Sequence, residues 1–474
     1  MEHPGLVAGV DCSTQSTKVL VVDLGSGAVV ASGRANHEVT GIGGARETDP
    51  RVWWEALGIA MAETGMAGQI TALSIAGQQH GLVVLDSRDE PLRPAMLWND
   101  VRAAPQALRL IEQWGADEWA ARIGVVPVAS FTISKWQWLV ENEPEIASAA
   151  HRVMLPHDYL TFRLTGNAAT DRGDASGTGW WSGASEGYSQ IGLELVGLDP
   201  QLLPGIVAPG AAAGEVTEAA AALIGVPAGT PVAGGTGDNM GAALGLGLRP
   251  GRPVVSLGTS GTIYAVSESR IVVPSGVVAG FAAADRGFLP LAATLNCTLA
   301  IDRFASWLGL DREQVAASTD VVVLPYLDGE RTPNLPAAAG SIHGLRHGTS
   351  PEEILLAAYQ GAAASLLDAM SEISHAGSGI ADNAPLILIG GGARGVAWQK
   401  VIADLSQRSL VVPETDEPVA LGAAVQAASM LTGADCSDIA ESWSTMKGPV
   451  IDPIGPGGNT LERIGEVRRT VYQI

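Results

Sequence analysis

Apolar and polar positions change period twice within the first ninety residues. Leu6 to Val10 is an apolar run that meets Asp11 and a small, hydroxyl-rich turn, and Val19 to Leu24 is a second apolar run. The spacing predicts two strands joined by a tight loop, with Gly25-Ser26-Gly27 as a hairpin signal and Ala28 to Ser32 as a third strand. Asp49-Pro50 then marks a helix start, with the acid able to satisfy free N–H groups and the proline at the first helical position. Trp53, Leu57 and Met61 follow at helical spacing, and Ile70 to Ile75 and Leu82 to Leu85 predict further strands. Strands followed by a helix and more strands predict α/β layers.

The opening recurs in looser form past the middle. Val254 to Ser256, Thr262 to Val266 and Phe288 to Ala292 predict three strands, with Gly258-Thr259-Ser260-Gly261 between the first two. Ser350-Pro351-Glu352-Glu353 is a capping box, and Leu355, Tyr359, Ala362, Leu366 and Ala369 make the buried stripe of a long helix. Leu386 to Ile389 is an apolar strand that runs into Gly390-Gly391-Gly392-Ala393-Arg394, the arrangement at which nucleotides bind in α/β folds. The Gly- and Pro-rich stretch Gly245 to Pro253 is the candidate domain boundary and hinge, and the tail after residue 431 predicts a peripheral helix.

At 474 residues the chain is too long for one ordinary core, so two domains are expected. Its 28 Lys and Arg against 50 Asp and Glu leave a net charge of −22, which argues against a nucleic-acid or anionic-membrane partner. A small phosphorylated ligand stays compatible, because backbone N–H groups and a divalent cation hold phosphate locally. The three cysteines, Cys12, Cys297 and Cys436, lack CxxC spacing, which fits a reducing compartment. Met-Glu-His-Pro opens the chain without a basic leader and no apolar run reaches membrane-spanning length, so a cytoplasmic protein is expected.

The chemistry concentrates in the loops. Asp11-Cys12-Ser13-Thr14-Gln15-Ser16-Thr17-Lys18 offers Thr14, Gln15, Ser16 and Lys18 as phosphate donors, with Asp11 able to hold Mg²⁺ directly or through water. One such loop reads equally well as a Ser/Thr-rich hairpin, but two at the heads of two halves suggest a duplicated domain that grips a polyphosphate. Asp238, in Gly234-Gly235-Thr236-Gly237-Asp238-Asn239, is either a turn-former or a proton acceptor in a flexible glycine frame, and phosphoryl transfer to a hydroxyl favours the second. Gln78-Gln79-His80 follows a strand end where a polyol could be held. Trp98 beside Asn99 and Asp100 offers an aromatic face to a sugar, and equally fits a core tryptophan with a capping acid.

Two longer segments carry a resemblance. Ser130-Phe131-Thr132 leading to Lys135-Trp136-Gln137-Trp138-Leu139 and Glu141-Asn142, and Gly340 to Leu345 leading to Glu353-Ile354 and Ala357-Ala358-Tyr359-Gln360, resemble the two signatures of the FGGY carbohydrate kinases, within the actin-like ATPase superfamily. The likeness spans nearly the whole chain and is nearest to the bacterial xylulokinases, which Leu324-Pro325-Tyr326-Leu327-Asp328-Gly329-Glu330-Arg331-Thr332-Pro333 also resembles. It implies two ribonuclease-H-like domains around a cleft: residues 1–247 binding sugar, 248–430 binding nucleotide, and 431–474 a tail packed on the body. It implies ATP and Mg²⁺, with Asp238 as general base and Asp11 near the metal and phosphates, both carboxylates facing the ATP-borne Mg²⁺. Thr14, Gln15 and Lys18 would face the phosphates; Thr259, Ser260, Gly391, Gly392 and Ala393 the nucleotide; and Gln79, His80 and Asn239 the sugar. Many xylulokinases carry Met where this chain has Gln79. The expected activity is phosphorylation of D-xylulose to D-xylulose 5-phosphate, with a homodimer as the implied assembly and closure about the Gly/Pro stretch excluding water. Another ketose or an alditol is the alternative substrate, and an actin- or chaperone-like ATPase the alternative class.

Overall fold

The computed structural model describes residues 5–455 and 457–473, so the Met1-Glu2-His3-Pro4 opening lies outside the described residues. The first half is built on strands β1 (Leu6–Cys12), β2 (Ser16–Asp23), β3 (Val29–Asn36), β4 (Ile70–Gly77), β5 (Ala212–Glu215), β6 (Pro231–Ala233) and β7 (Thr236–Gly237). They form one sheet in the order β5-β6-β4-β1-β2-β3, with β7 paired to the end of β4. β1 to β3 are the antiparallel meander that the alternation predicts, and β1 lies parallel to β4. Helix α1 (Pro50–Glu63) starts at Asp49, whose carboxylate accepts from the Arg51 N–H, and buries Trp53, Leu57 and Met61. Leu82 to Leu85 holds the expected strand as Val83–Leu85, which pairs with Arg152–Met154 in a ribbon separate from this sheet, after a turn at Gln79-His80.

The second half repeats the plan with β8 (Pro253–Leu257), β9 (Gly261–Ala265), β10 (Ala279–Ala282), β11 (Phe288–Thr294), β12 (Leu386–Ile389), β13 (Leu410–Val411) and β14 (Val450–Ile451). Their order is β10-β11-β9-β8-β12-β13-β14. β8 runs antiparallel to β9 and parallel to β12, as β1 does to β2 and β4. This shared meander with a parallel strand beside it is the ribonuclease-H-like plan. The tail supplies more than a helix, since Val450–Ile451 closes the sheet edge, a two-residue strand too short to signal in sequence. Pro351–His375 is long and apolar enough to cross a bilayer, yet 78% of its most apolar window is buried as the core helix of this half.

Two features join the halves. The helix Asp238–Gly245 crosses Pro418–Thr432, which itself lies on β1 and β4. Their backbones touch, since a Cβ on Gly422 would stand 1.8 Å from the Gly241 carbonyl and one on Gly9 would stand 1.8 Å from that of Ala420. The edge strand β10 is bonded to the first half as well: the Gly280 N–H donates to Gly124 O at 2.9 Å, and the Ala282 N–H to Ser176 Oγ at 2.9 Å. Leu246 and Leu248 are buried, so the Gly/Pro stretch between the halves is anchored by its own side chains.

Candidate active site

Strand register assembles the site. Near its end β1 sets Asp11 opposite Lys18 on β2 and beside Ala76 on β4, while Gly237 on β7 pairs with Gly77 at the end of β4. Asp11, the Gln78-Gln79-His80 corner and Asp238 thus leave adjacent strand ends together.

Asp238 is the first residue of its helix. Its Oδ1 accepts from the Asn239 backbone N–H at 2.8 Å and from Asn239 Nδ2 at 2.9 Å. Asn239 Nδ2 also donates to Gln79 Oε1 at 3.0 Å, and Gln79 Nε2 is buried without a hydrogen-bond partner. Burial, then the nearby carboxylates Asp11 and Asp174, push Asp238 up to about 7. A carboxyl at that value can take up a proton near neutral pH. The glycines around it are not there for flexibility. A Cβ on Gly235 would meet His157 Cδ2 at 2.6 Å and one on Gly237 would meet Gln79 Cγ at 2.7 Å, so they let this segment lie against buried side chains.

Asp11 is buried, with Oδ2 3.6 Å from Lys18 Nζ and Oδ1 without a partner. Burial raises its pKa to about 6 despite Lys18, and Glu417 adds to the rise. Lys18 Nζ is bound more tightly to Glu417 Oε2, at 2.6 Å. A cavity of about 460 Å³ is walled by Asp11, Lys18, Asp238 and Asn239 from the first half and by Tyr264, Gly390, Gly391 and Arg394 from the second. Asp416 and Glu417 close one side.

The other expected nucleotide residues do not line this cavity. Thr14 accepts the Trp98 indole N–H at 3.0 Å, Gln15 is exposed, and Thr259 and Ser260 lie on the second loop, where Thr298 Oγ1 donates to the Gly258 carbonyl at 2.7 Å. Gly392 donates its N–H to Leu257 O at 2.9 Å and Ala393 turns back to Gly390, so the glycine loop and the second phosphate-like loop pack on each other. Trp98 is 38% exposed, and the bond it makes is to the first loop. Asp100 beside it accepts from the Arg46 and Arg102 N–H groups, a structural role.

His80 is half-buried, with its ring 4.9 Å from that of Phe131 and 5.6 Å from that of Phe281 of β10. Burial holds its imidazole well below the usual range, so it is neutral. Behind Gln79 and Asp238 lies a cluster that nothing in the sequence pattern announced. His157 Nδ1 stands 2.8 Å from Asp174 Oδ2, and Nε2 stands 3.2 Å from Asp158 Oδ1 and 3.8 Å from Asp171 Oδ1. Burial alone would push His157 down, but these three carboxylates carry it up to about 9, so it is an imidazolium. Thr236 Oγ1 donates to Asp171 Oδ2 at 2.8 Å, which ties the cluster to the strand preceding Asp238.

A family model described as the FGGY family of carbohydrate kinases, N-terminal domain, matches residues 6–245, and its C-terminal counterpart matches residues 254–431. The chain belongs to the FGGY family of carbohydrate kinases. This FGGY kinase is 58% identical over 463 residues to a xylulose kinase of Streptomyces coelicolor, covering 97% of the chain and 95% of the relative. It is 57% identical over 464 residues to a xylulose kinase of Streptomyces rubiginosus, covering 98% and 95%. Among solved structures, the xylulose kinase of Bifidobacterium adolescentis matches with a TM-score of 0.85 at 34% identity, over 98% of this FGGY kinase and 99% of that chain. The sequence missed Tyr264, Glu417 and the His157 cluster because each is brought in by an element remote in the chain and shares no spacing with a motif.

Proposed function

We propose that this kinase transfers the γ-phosphoryl group of ATP to the terminal C5 hydroxyl of D-xylulose, yielding D-xylulose 5-phosphate and ADP. The Asp238 carboxylate carries the reading: it is half-buried, pushed up to about 7, oriented by Asn239, and opens on the cavity that also holds Asp11 and Lys18. It takes the hydroxyl proton as that oxygen bonds to the γ-phosphorus and the bond from phosphorus to the β-bridging oxygen breaks. Gln79, with a buried amide N–H₂ free to donate, and neutral His80 would bind the sugar, while Lys18 and the N–H groups of the glycine loop would bind the phosphates. The names of the relatives support xylulose as the acceptor.

The donor set fits a divalent cation carried by ATP. Asp11 Oδ1 is a buried carboxylate oxygen without a partner, beside a second carboxylate, and Mg²⁺ is commonly held by one or two carboxylates together with substrate phosphates. Bound there, Mg²⁺ would neutralise phosphate charge. The test is a panel of ketoses and alditols compared by kcat/KM. D-xylulose should lead, and Gln79, an amide bonded to Asn239, makes ribulose the competitor to include. A clear preference for another sugar refutes xylulose, and ATP hydrolysis indifferent to every sugar refutes the kinase reading.

A further inference from the structure

Lys135 is fully buried on the helix Thr132–Asn142 and, among the described residues, has no carboxylate within ion-pair distance. Its Nζ donates to the His80 carbonyl at 2.8 Å and to the carbonyl of Ser130. Thr132 Oγ1 donates to the same His80 carbonyl at 3.2 Å. His80 adopts φ of +66°, a left-handed conformation that costs a non-glycine residue free energy and persists only where its surroundings impose it. Phe131, the neighbour of Thr132, packs on its ring at 4.9 Å, and a Cβ on Gly177 would stand 2.4 Å from His80 Cε1. Burying an ammonium is costly, and a methionine would fill similar space without that cost. The geometry of two convergent carbonyls is what the lysine answers. Burial pushes its pKa down to about 7, opposed by Asp100, and even a neutral amine keeps two N–H donors for the two carbonyls.

We propose that Lys135 is a positioning residue for the acceptor sugar, holding the His80 carbonyl so that the strained backbone keeps the imidazole at the sugar site. The proposal rests on the reading of His80 as a sugar contact. Lys135 does not line the cavity, and its bond explains why Lys stands three residues after Thr132 in the first signature segment: both reach one carbonyl from the first turn of one helix.

The experiment is a double-mutant cycle on the full-length enzyme with D-xylulose and ATP varied separately. Lys135→Met should raise KM for the ketose at least tenfold and leave KM for ATP within twofold. In a His80→Ala background, whose own ketose KM is already raised, Lys135→Met should add less than twofold. If Lys135→Met does not accumulate as folded protein, Thr132→Val tests the same carbonyl and should raise the ketose KM about threefold, again without effect in the His80→Ala background. A wild-type ketose KM in Lys135→Met, an equal rise in both Michaelis constants, or full additivity with His80→Ala overturns the proposal. A normal ketose KM in His80→Ala alone would instead overturn the sugar reading of His80 on which it rests.

Discussion

Asn239 Nδ2 bonds to Gln79 Oε1 at 3.0 Å while holding Asp238 Oδ1 at 2.9 Å, so a residue at the end of β4 and one in the first turn of a helix some 160 positions later share one amide. The orientation of the base and the polarity of the sugar site are therefore coupled. Gln79→Met removes the acceptor that fixes Asn239 and the free amide donor beside it. We expect KM for D-xylulose to rise about tenfold, kcat to fall less, and KM for ATP to stay level, as loss of one or two hydrogen bonds to a neutral ligand implies. Initial-rate measurements with each substrate varied check this, and an ATP-side effect would contradict it.

The pH profile follows from two carboxyls that line the cavity. Asp238 is pushed up to about 7 and Asp11 to about 6, both by burial first. Asp238 must be ionised to accept a proton, so kcat/KM for the ketose should climb as pH rises through about 7 and flatten above it. Asp238→Asn should cut kcat by at least about 10³-fold, the order expected when the general base is lost.

The same shift predicts a stability gain on removing the base. A carboxyl whose native pKa lies above its unfolded value holds a proton in the folded state that the unfolded chain gives up, so its contribution to stability declines as pH rises from about 4 to about 7. At pH 8 the wild type holds a half-buried, poorly solvated charge and Asp238→Asn does not. Its melting temperature should exceed the wild type's by about 2–4 °C at pH 8, with the gap narrowing as pH falls and closing near pH 4. A lower melting temperature at pH 8 would count against a charged, poorly solvated Asp238.

Lys18 and Glu417 act on Asp11 in opposite directions. Lys18 lowers the Asp11 pKa, and Glu417 raises it. Lys18→Met should therefore shift the acid limb of the pH profile upward and weaken kcat/KM for ATP about 10–100-fold, whereas Glu417→Gln should move the limb downward. Limbs moving in the same direction would show that the two residues do not act through Asp11.

Arg172 fastens β10 to the first half. Its buried guanidinium donates to Ala283 O at 3.0 Å and Gly287 O at 2.8 Å and pairs with Glu186 at 2.6 Å. Phe281, against the His80 ring, lies on that strand. Arg172→Ala should destabilise the protein by about 1.5–3 kcal/mol through the charged hydrogen bonds it removes. It should also raise the ketose KM, readable by thermal melting and initial rates at one temperature below the transition.

Much of this was legible in the chain because it is local. The three-strand openings, the Asp49 cap, the Ser350 capping box and the strand into Gly390 are each written within a dozen residues, since periodicity and capping act at short range. Asp11 and Asp238 stood out for the same reason, as acids set in small-residue loops. The glycines near Asp238 were legible as glycines but not in their reason, which is the approach of His157 and Gln79.

The rest of the site is electrostatic and long-range. The value of about 7 at Asp238 needs burial together with Asp11 and Asp174, and these lie more than two hundred and more than sixty residues away in the chain. The binding of Lys18 by Glu417, the imidazolium at His157 and the grip of Lys135 on His80 likewise join residues with no shared spacing. Local patterning along the chain sets which elements form and which side chains can do acid–base chemistry. The packing of strand ends and of the two crossing helices decided which of those side chains meet out of water, and desolvation at that meeting point is what raises the carboxylate pKa into the range of a general base.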